Sequence, residues 1–115
     1  MKDLIIADIS VLPFGTETAS VSRFVAAAIN LLNRAPDISY QVTPMSTIVE
    51  GPLERVLELM QEMHEIPFSM GVHRVVSSIR IDDRRDKRIT MESKVQAIAQ
   101  KVPIPQEEDL AGVAR

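Results

Sequence analysis

The chain has 115 residues, enough for one domain with a single core, and its 45% hydrophobic and 25% charged content is that of a folded chain. It holds no cysteine, which excludes disulfides, thiolate catalysis and cysteine-ligated zinc or iron–sulfur sites. A formal net charge of −3 and only 3% aromatic residues, with no Trp, speak against a partner held by its phosphate backbone or by base stacking, so no nucleic acid is expected.

Leu4–Pro13 alternates as a strand, with Ile5, Ala7, Ile9 and Val11 on one face and Ile6, Asp8, Ser10 and Leu12 on the other. The stretch around Met1–Asp8 is too short and too acidic for a signal peptide, and no apolar run reaches the roughly 18 residues of a membrane span. A cytoplasmic location with no membrane partner is the expectation. After the break at Pro13–Thr16, Ser20 suits a helix N-cap, and Val21, Phe24, Val25, Ala28, Ile29 and Leu32 follow as one apolar stripe. Asn33 to Pro36 ends that helix.

A second strand is expected over about Ile38–Thr43, and Pro44-Met45 turns it back into a third, Ser46–Glu50. Thr47 and Val49 then point one way, and Ser46, Ile48 and Glu50 the other. Gly51-Pro52 stops the strand and opens a second helix striped by Leu53, Val56, Leu57, Met60, Met63 and His64, with Pro67 and Gly71 closing it. Val72–Asp82 is a long fourth strand whose faces carry Val75, Ser77, Ile79 and Ile81, and Val76, Ser78, Arg80 and Asp82. The charged run Asp82–Arg88 leads to a third helix capped by Thr90, with Met91, Val95, Ile98, Ala99 and Val102 in register. Residues 1–102 are thus expected as one domain, and residues 103–115, acidic and rich in small residues, as a flexible C-terminal tail.

The order β-α-β-β-α-β plus a terminal helix is that of an α+β, ferredoxin-like fold, a four-stranded antiparallel sheet with both main helices on one face. The other face is left bare, and it should carry Asp8, Ser10, Ser78 and Arg80 among Ile6 and Val76. A face this apolar should pack on another copy of the chain, with its polar groups paired across subunits or to a ligand.

Candidate chemistry concentrates there. Glu50 ends a strand, where a carboxylate is costly on a dry face and useful beside a cation; the alternative is a solvated acid near the positive end of the following helix. Asp8 and Arg80 can form a cross-strand ion pair. Asp82, Asp83 and Asp86 could hold a magnesium ion, but the bases interleaved with them favour an ion-paired turn, and no metal is expected. His64 and His73 lack zincin spacing, leaving His64 as a structural residue and His73 at the surface. Gly15–Ser20 meets a helix N-terminus but lacks the P-loop lysine. Neither a nucleophile–base–acid set nor a close carboxylate dyad is legible, so an enzyme is not expected.

Four segments together, Ile9-Ser10-Val11-Leu12-Pro13 with Gly15-Thr16, Thr43-Pro44-Met45 with Thr47-Ile48-Val49-Glu50-Gly51, Met63-His64-Glu65, and Arg80-Ile81-Asp82-Asp83-Arg84-Arg85-Asp86-Lys87, resemble the small thiamine-binding proteins, the stand-alone relatives of the YkoF protein. The resemblance covers roughly residues 4 to 101. It implies a ferredoxin-like chain that pairs by edge strands into an eight-stranded sheet, and two such dimers forming a tetramer. It also implies non-catalytic binding of thiamine or its hydroxymethylpyrimidine moiety, as ligand and not as cofactor. On that reading Ser10, Thr43 and Thr47 serve the pyrimidine nitrogens and the hydroxyl. Asp8 and Glu50 are the anionic partners of the thiazolium, with Arg80 beside Asp8. The chain has few aromatics, which is a departure from that reading: Phe14, Tyr40 and Phe68 are the rings available to stack on thiamine. The competing reading is a structural or regulatory homo-oligomer with no such ligand.

Overall fold

The structure, a computed structural model, describes residues 4–15, 22–86 and 90–102. Strand β1 (Leu4–Phe14) leads to helix α1 (Ser22–Asn33), strands β2 (Ser39–Val42) and β3 (Thr47–Pro52), helix α2 (Leu53–Ser69), strand β4 (Arg74–Asp82) and helix α3 (Met91–Ala99). The strands form one antiparallel sheet in the order β2-β3-β1-β4, so the fold is the α+β, ferredoxin-like arrangement. The expected Ser20 cap lies outside the described residues, as does the segment 103–115.

Register follows from the alternation. Ala7 stands opposite Val49 and Ile81, while Asp8 stands opposite Ile48 and Arg80. The odd-numbered residues of β1 therefore join Thr47 and Val49 on the helix-covered face. There Ile5, Ala7, Ile9 and Val49 pack against Leu32 of α1 and Val56, Leu59 and Met63 of α2, closed at one end by Ala35 and Ile38. The even-numbered residues of β1, with Ile48, Glu50, Ser78 and Arg80, form the open face.

Helix α2 departs from the sequence expectation at two places. Pro67 does not end α2 but lies inside it, fully buried, and the helix runs on to Ser69. A proline so near the C-terminus forfeits one intrahelical bond, while its own carbonyl accepts from Met70 and Val72 N–H at 3.1 and 3.0 Å. Closure falls to Gly71, whose φ of +93° is costly for residues with a Cβ. Leu57, placed on the apolar stripe of α2 by its spacing, is 46% exposed, and Leu59 fills the core instead.

Helix α3 has a reciprocal capping box, in which Ser93 N–H donates to Thr90 Oγ1 and Thr90 N–H donates to Ser93 Oγ. None of its residues is buried, and Val95, Ile98 and the following Val102 stay about half exposed. A lysine of this helix, Lys94, pairs with Asp82 at the end of β4.

A candidate ligand cavity in the sheet

Strands β1 and β3 part company at the pair Ile9–Thr47, whereas β1 and β4 stay paired to Phe14–Arg74. Residues 10–14 of β1 therefore have no β3 neighbour, and the sheet carries a notch. The turn from β2 to β3 stands beside it. Thr43 fastens that turn at both ends: its N–H and Oγ1 donate to the Ser46 carbonyl at 2.9 and 2.8 Å, and Ser46 N–H donates back to Oγ1 at 3.1 Å. Pro44 and Met45 form the tip.

The notch opens into a cavity of about 340 Å³. Ile9 and Val11 of β1, Phe24, Val25 and Ala28 of α1, and Met63 and Pro67 of α2 make its apolar walls. Leu12, Val42, Pro44 and Met45 stand with them, and the polar residues of the lining are Ser10, Thr43, Ser46 and Thr47. Among the described residues, none that lines the cavity is charged. Such a lining suits a small, flat ring with hydrogen-bonding edges. Thr43 Oγ1 already donates to the Ser46 carbonyl and the Ser46 hydroxyl to Asp8, so these two offer a ligand only acceptor lone pairs, while Ser10 and Thr47 can donate or accept.

The structure divides the six residues singled out from the sequence. Ser10, Thr43 and Thr47 line the cavity. Asp8, Glu50 and Arg80 lie further along the open face that Ser10 shares, and outside the lining. Glu50 stands opposite Ile6, four residues from Ser10 along β1, or about 13 Å at the rise of an extended chain. Asp8 accepts from Arg80 Nη2 at 2.9 Å and Nε at 3.3 Å, the cross-strand pair expected from the faces. A hydrogen bond with Ser46, and then the one with Arg80, hold its carboxyl below the ordinary value of 3.8. Because Ser46 lines the cavity, Asp8 reaches it at one remove.

None of the three rings named as available for stacking lines the cavity. The Arg74 guanidinium lies 5.1 Å over Phe14, Tyr40 donates to Asn33 Oδ1, and Phe68 meets His64 edge-on at 5.5 Å. The aromatic wall is Phe24, whose place in the α1 stripe marked it only as core. His64, expected to be structural, places Nδ1 2.7 Å from Ser77 Oγ and so ties α2 to β4. The charged run folds on itself: Arg84 donates to Asp86 and Arg85 to Asp83, while Asp82 turns to Lys94.

A family model described as thiamine-binding protein matches residues 7–99, which take in both main helices and all of the sheet but the first three residues of β1. The chain belongs to the thiamine-binding protein family. Within that family it is 48% identical over 96 residues to UPF0045 protein YqgV of Bacillus subtilis, covering 81% of this chain and 92% of that one. The solved structure of hypothetical protein MJ1052 of Methanocaldococcus jannaschii is similar with a TM-score of 0.76 at 37% identity, over 84% of this chain and 97% of that one. A Thermotoga maritima structure, assigned provisionally to thiamine biosynthesis or salvage, is similar with a TM-score of 0.67 at 25% identity, over 83% and 98% of the two chains. Among the described residues no helix is long and apolar enough to cross a membrane.

Proposed function

We propose that this member of the thiamine-binding family holds thiamine, or its hydroxymethylpyrimidine moiety, in the notch between β1 and the β2–β3 turn and releases it unchanged. The observation that carries this reading is the lining itself, with apolar walls on three elements and four hydroxyl-bearing residues, Ser10, Thr43, Ser46 and Thr47. An aminopyrimidine presents donors and acceptors around one flat ring, which hydroxyls can match without a charge. Ser10, Thr43 and Thr47 are assigned to the ligand, and Asp8 to the orientation of Ser46. The described lining holds no titratable side chain, which suits binding rather than proton transfer.

Glu50 and Arg80 belong in this reading to a second surface. Strand β4 is a nine-residue edge with nothing paired on its outer side among the described residues, whereas the opposite edge, β2, has four. We assign β4 to edge pairing with a second copy and the open face to the pairing of two dimers. Leu12, Phe14 and Val76, each more than 40% exposed on that face, also favour the alternative of an oligomer with no ligand.

Isothermal titration of thiamine and of 4-amino-5-hydroxymethyl-2-methylpyrimidine into the purified full chain separates the two. Saturable heat with about one ligand per chain, weakened in Ser10→Ala, is the expected result. An assembled protein that gives no heat with either compound would overturn the binding reading and leave the oligomer.

A further inference from the structure

We propose that Met45 is a specificity-determining cap, a thioether that folds over a heteroaromatic ring seated in the notch; the inference rests on the ligand reading above and adds to it the residue that closes the site. Met45 is 86% exposed, more than any other large apolar residue described. Turn tips ordinarily carry Gly, Asn, Asp or Ser, so a methionine in water there gains nothing for the turn itself. Its base is nonetheless held firmly, because Thr43 ties both ends of the turn with three hydrogen bonds. The side chain above that base has three rotatable bonds and a polarisable sulfur, which favours contact with aromatic rings about 5 Å away.

The neighbours point the same way. Leu12, Val25 and Val42 are 46%, 40% and 51% exposed, and all three line the same cavity as Met45. Four exposed apolar side chains from three elements and a turn thus ring one opening, whereas scattered single ones would need no explanation. Phe24 of α1 supplies an aromatic wall to the same cavity. With a rim this apolar among the described residues, the occupant that gains from it is a flat ring, and the adaptable member of the rim is Met45.

The test uses the full chain and the variants Met45→Ala and Met45→Leu, titrated with thiamine and with 4-amino-5-hydroxymethyl-2-methylpyrimidine. Met45→Ala should bind about tenfold more weakly, the scale of losing partial burial of one such side chain. Met45→Leu keeps the bulk and should stay within about threefold of the parent. The unliganded melting temperature and the mass by light scattering should not move in either variant, since the side chain buries little within its own chain. Parent and Met45→Ala binding equally well would overturn the cap and leave the ligand reading intact. Loss of assembly in Met45→Ala with unchanged affinity would make Met45 a subunit contact, and also overturn it. A parent that binds neither compound would remove the ligand reading and the cap with it.

Discussion

Asp8 sits where three parts of the molecule meet: its own strand β1, Arg80 on β4, and Ser46 at the foot of the β2–β3 turn. Its carboxyl is held below the ordinary 3.8, first by Ser46 and then by Arg80, so the folded state favours the charged form. A group whose pKa is depressed on folding contributes stability above its unfolded value and loses it as pH falls through the folded one. The window therefore lies below about pH 4. Because Arg80 is 86% exposed and Asp8 32%, solvent screens the pair, and Asp8→Asn should cost less than about 1 kcal/mol at neutral pH. That difference should shrink as urea midpoints are followed from about pH 5 towards about pH 2. A constant difference across the range would show that Asp8 acts through packing and not charge. The pair was legible in the sequence, because alternation put both residues on one face. The 13 Å or so that separates Glu50 from the notch was not, since spacing along β3 does not say where β1 outruns it.

At the scale of elements, the hairpin of β2 and β3 shows how much a two-residue period can fix. Thr47 and Val49 face the helices and Ile48 and Glu50 face away, as their alternation requires. Less legible is what lets β3 lie close to the chain between α1 and β2. Gly51 faces that segment, and a Cβ there would run into Ile38 Cδ1 and come within 3.3 Å of the Asp37 carbonyl oxygen. Gly51→Ala would gain about 0.5–1 kcal/mol from reduced backbone freedom. Ile38 is only 8% exposed and belongs to the core cluster, so it cannot swing into solvent to make room. Overpacking costs typically run to about 1–3 kcal/mol, and the net should be a loss of about 1–2 kcal/mol by chemical denaturation. An unchanged or raised stability would mean that Ile38 has a second place to go. The notch was illegible for a related reason. Nothing in the composition of β1 marks residues 10–14 as lacking a neighbour, and Phe24 and Val25 read as ordinary stripe residues until the strand beside them stops.

At the scale of the whole molecule, the chain presents surfaces that one copy does not cover. Leu12, Phe14 and Val76 lie on the open face, the outer side of β4 is unpaired among the described residues, and α3 keeps an apolar stripe in water. An exposed nine-residue edge strand invites another strand, and a bare apolar sheet face invites another face. The expected mass by light scattering is therefore that of a tetramer. Val76→Lys tests the face without touching the core, because Val76 is 47% exposed and its new charge would stand beside Arg74 and opposite Leu12. Two such faces brought together would bury like charges, while the strand edge would be untouched. The mass should then fall by half, to a dimer, with little change in the far-ultraviolet circular dichroism. An undiminished tetramer would remove the open face from the assembly, and a monomeric parent would remove assembly altogether. The cavity described is built from one chain, so the Val76→Lys dimer should keep its heat of ligand binding. Loss of binding together with the tetramer would instead place part of the site on a neighbouring copy. In that case Glu50 and Arg80, which the notch leaves about 13 Å away or on the far side of Asp8, would return as the residues through which that copy reaches the ligand.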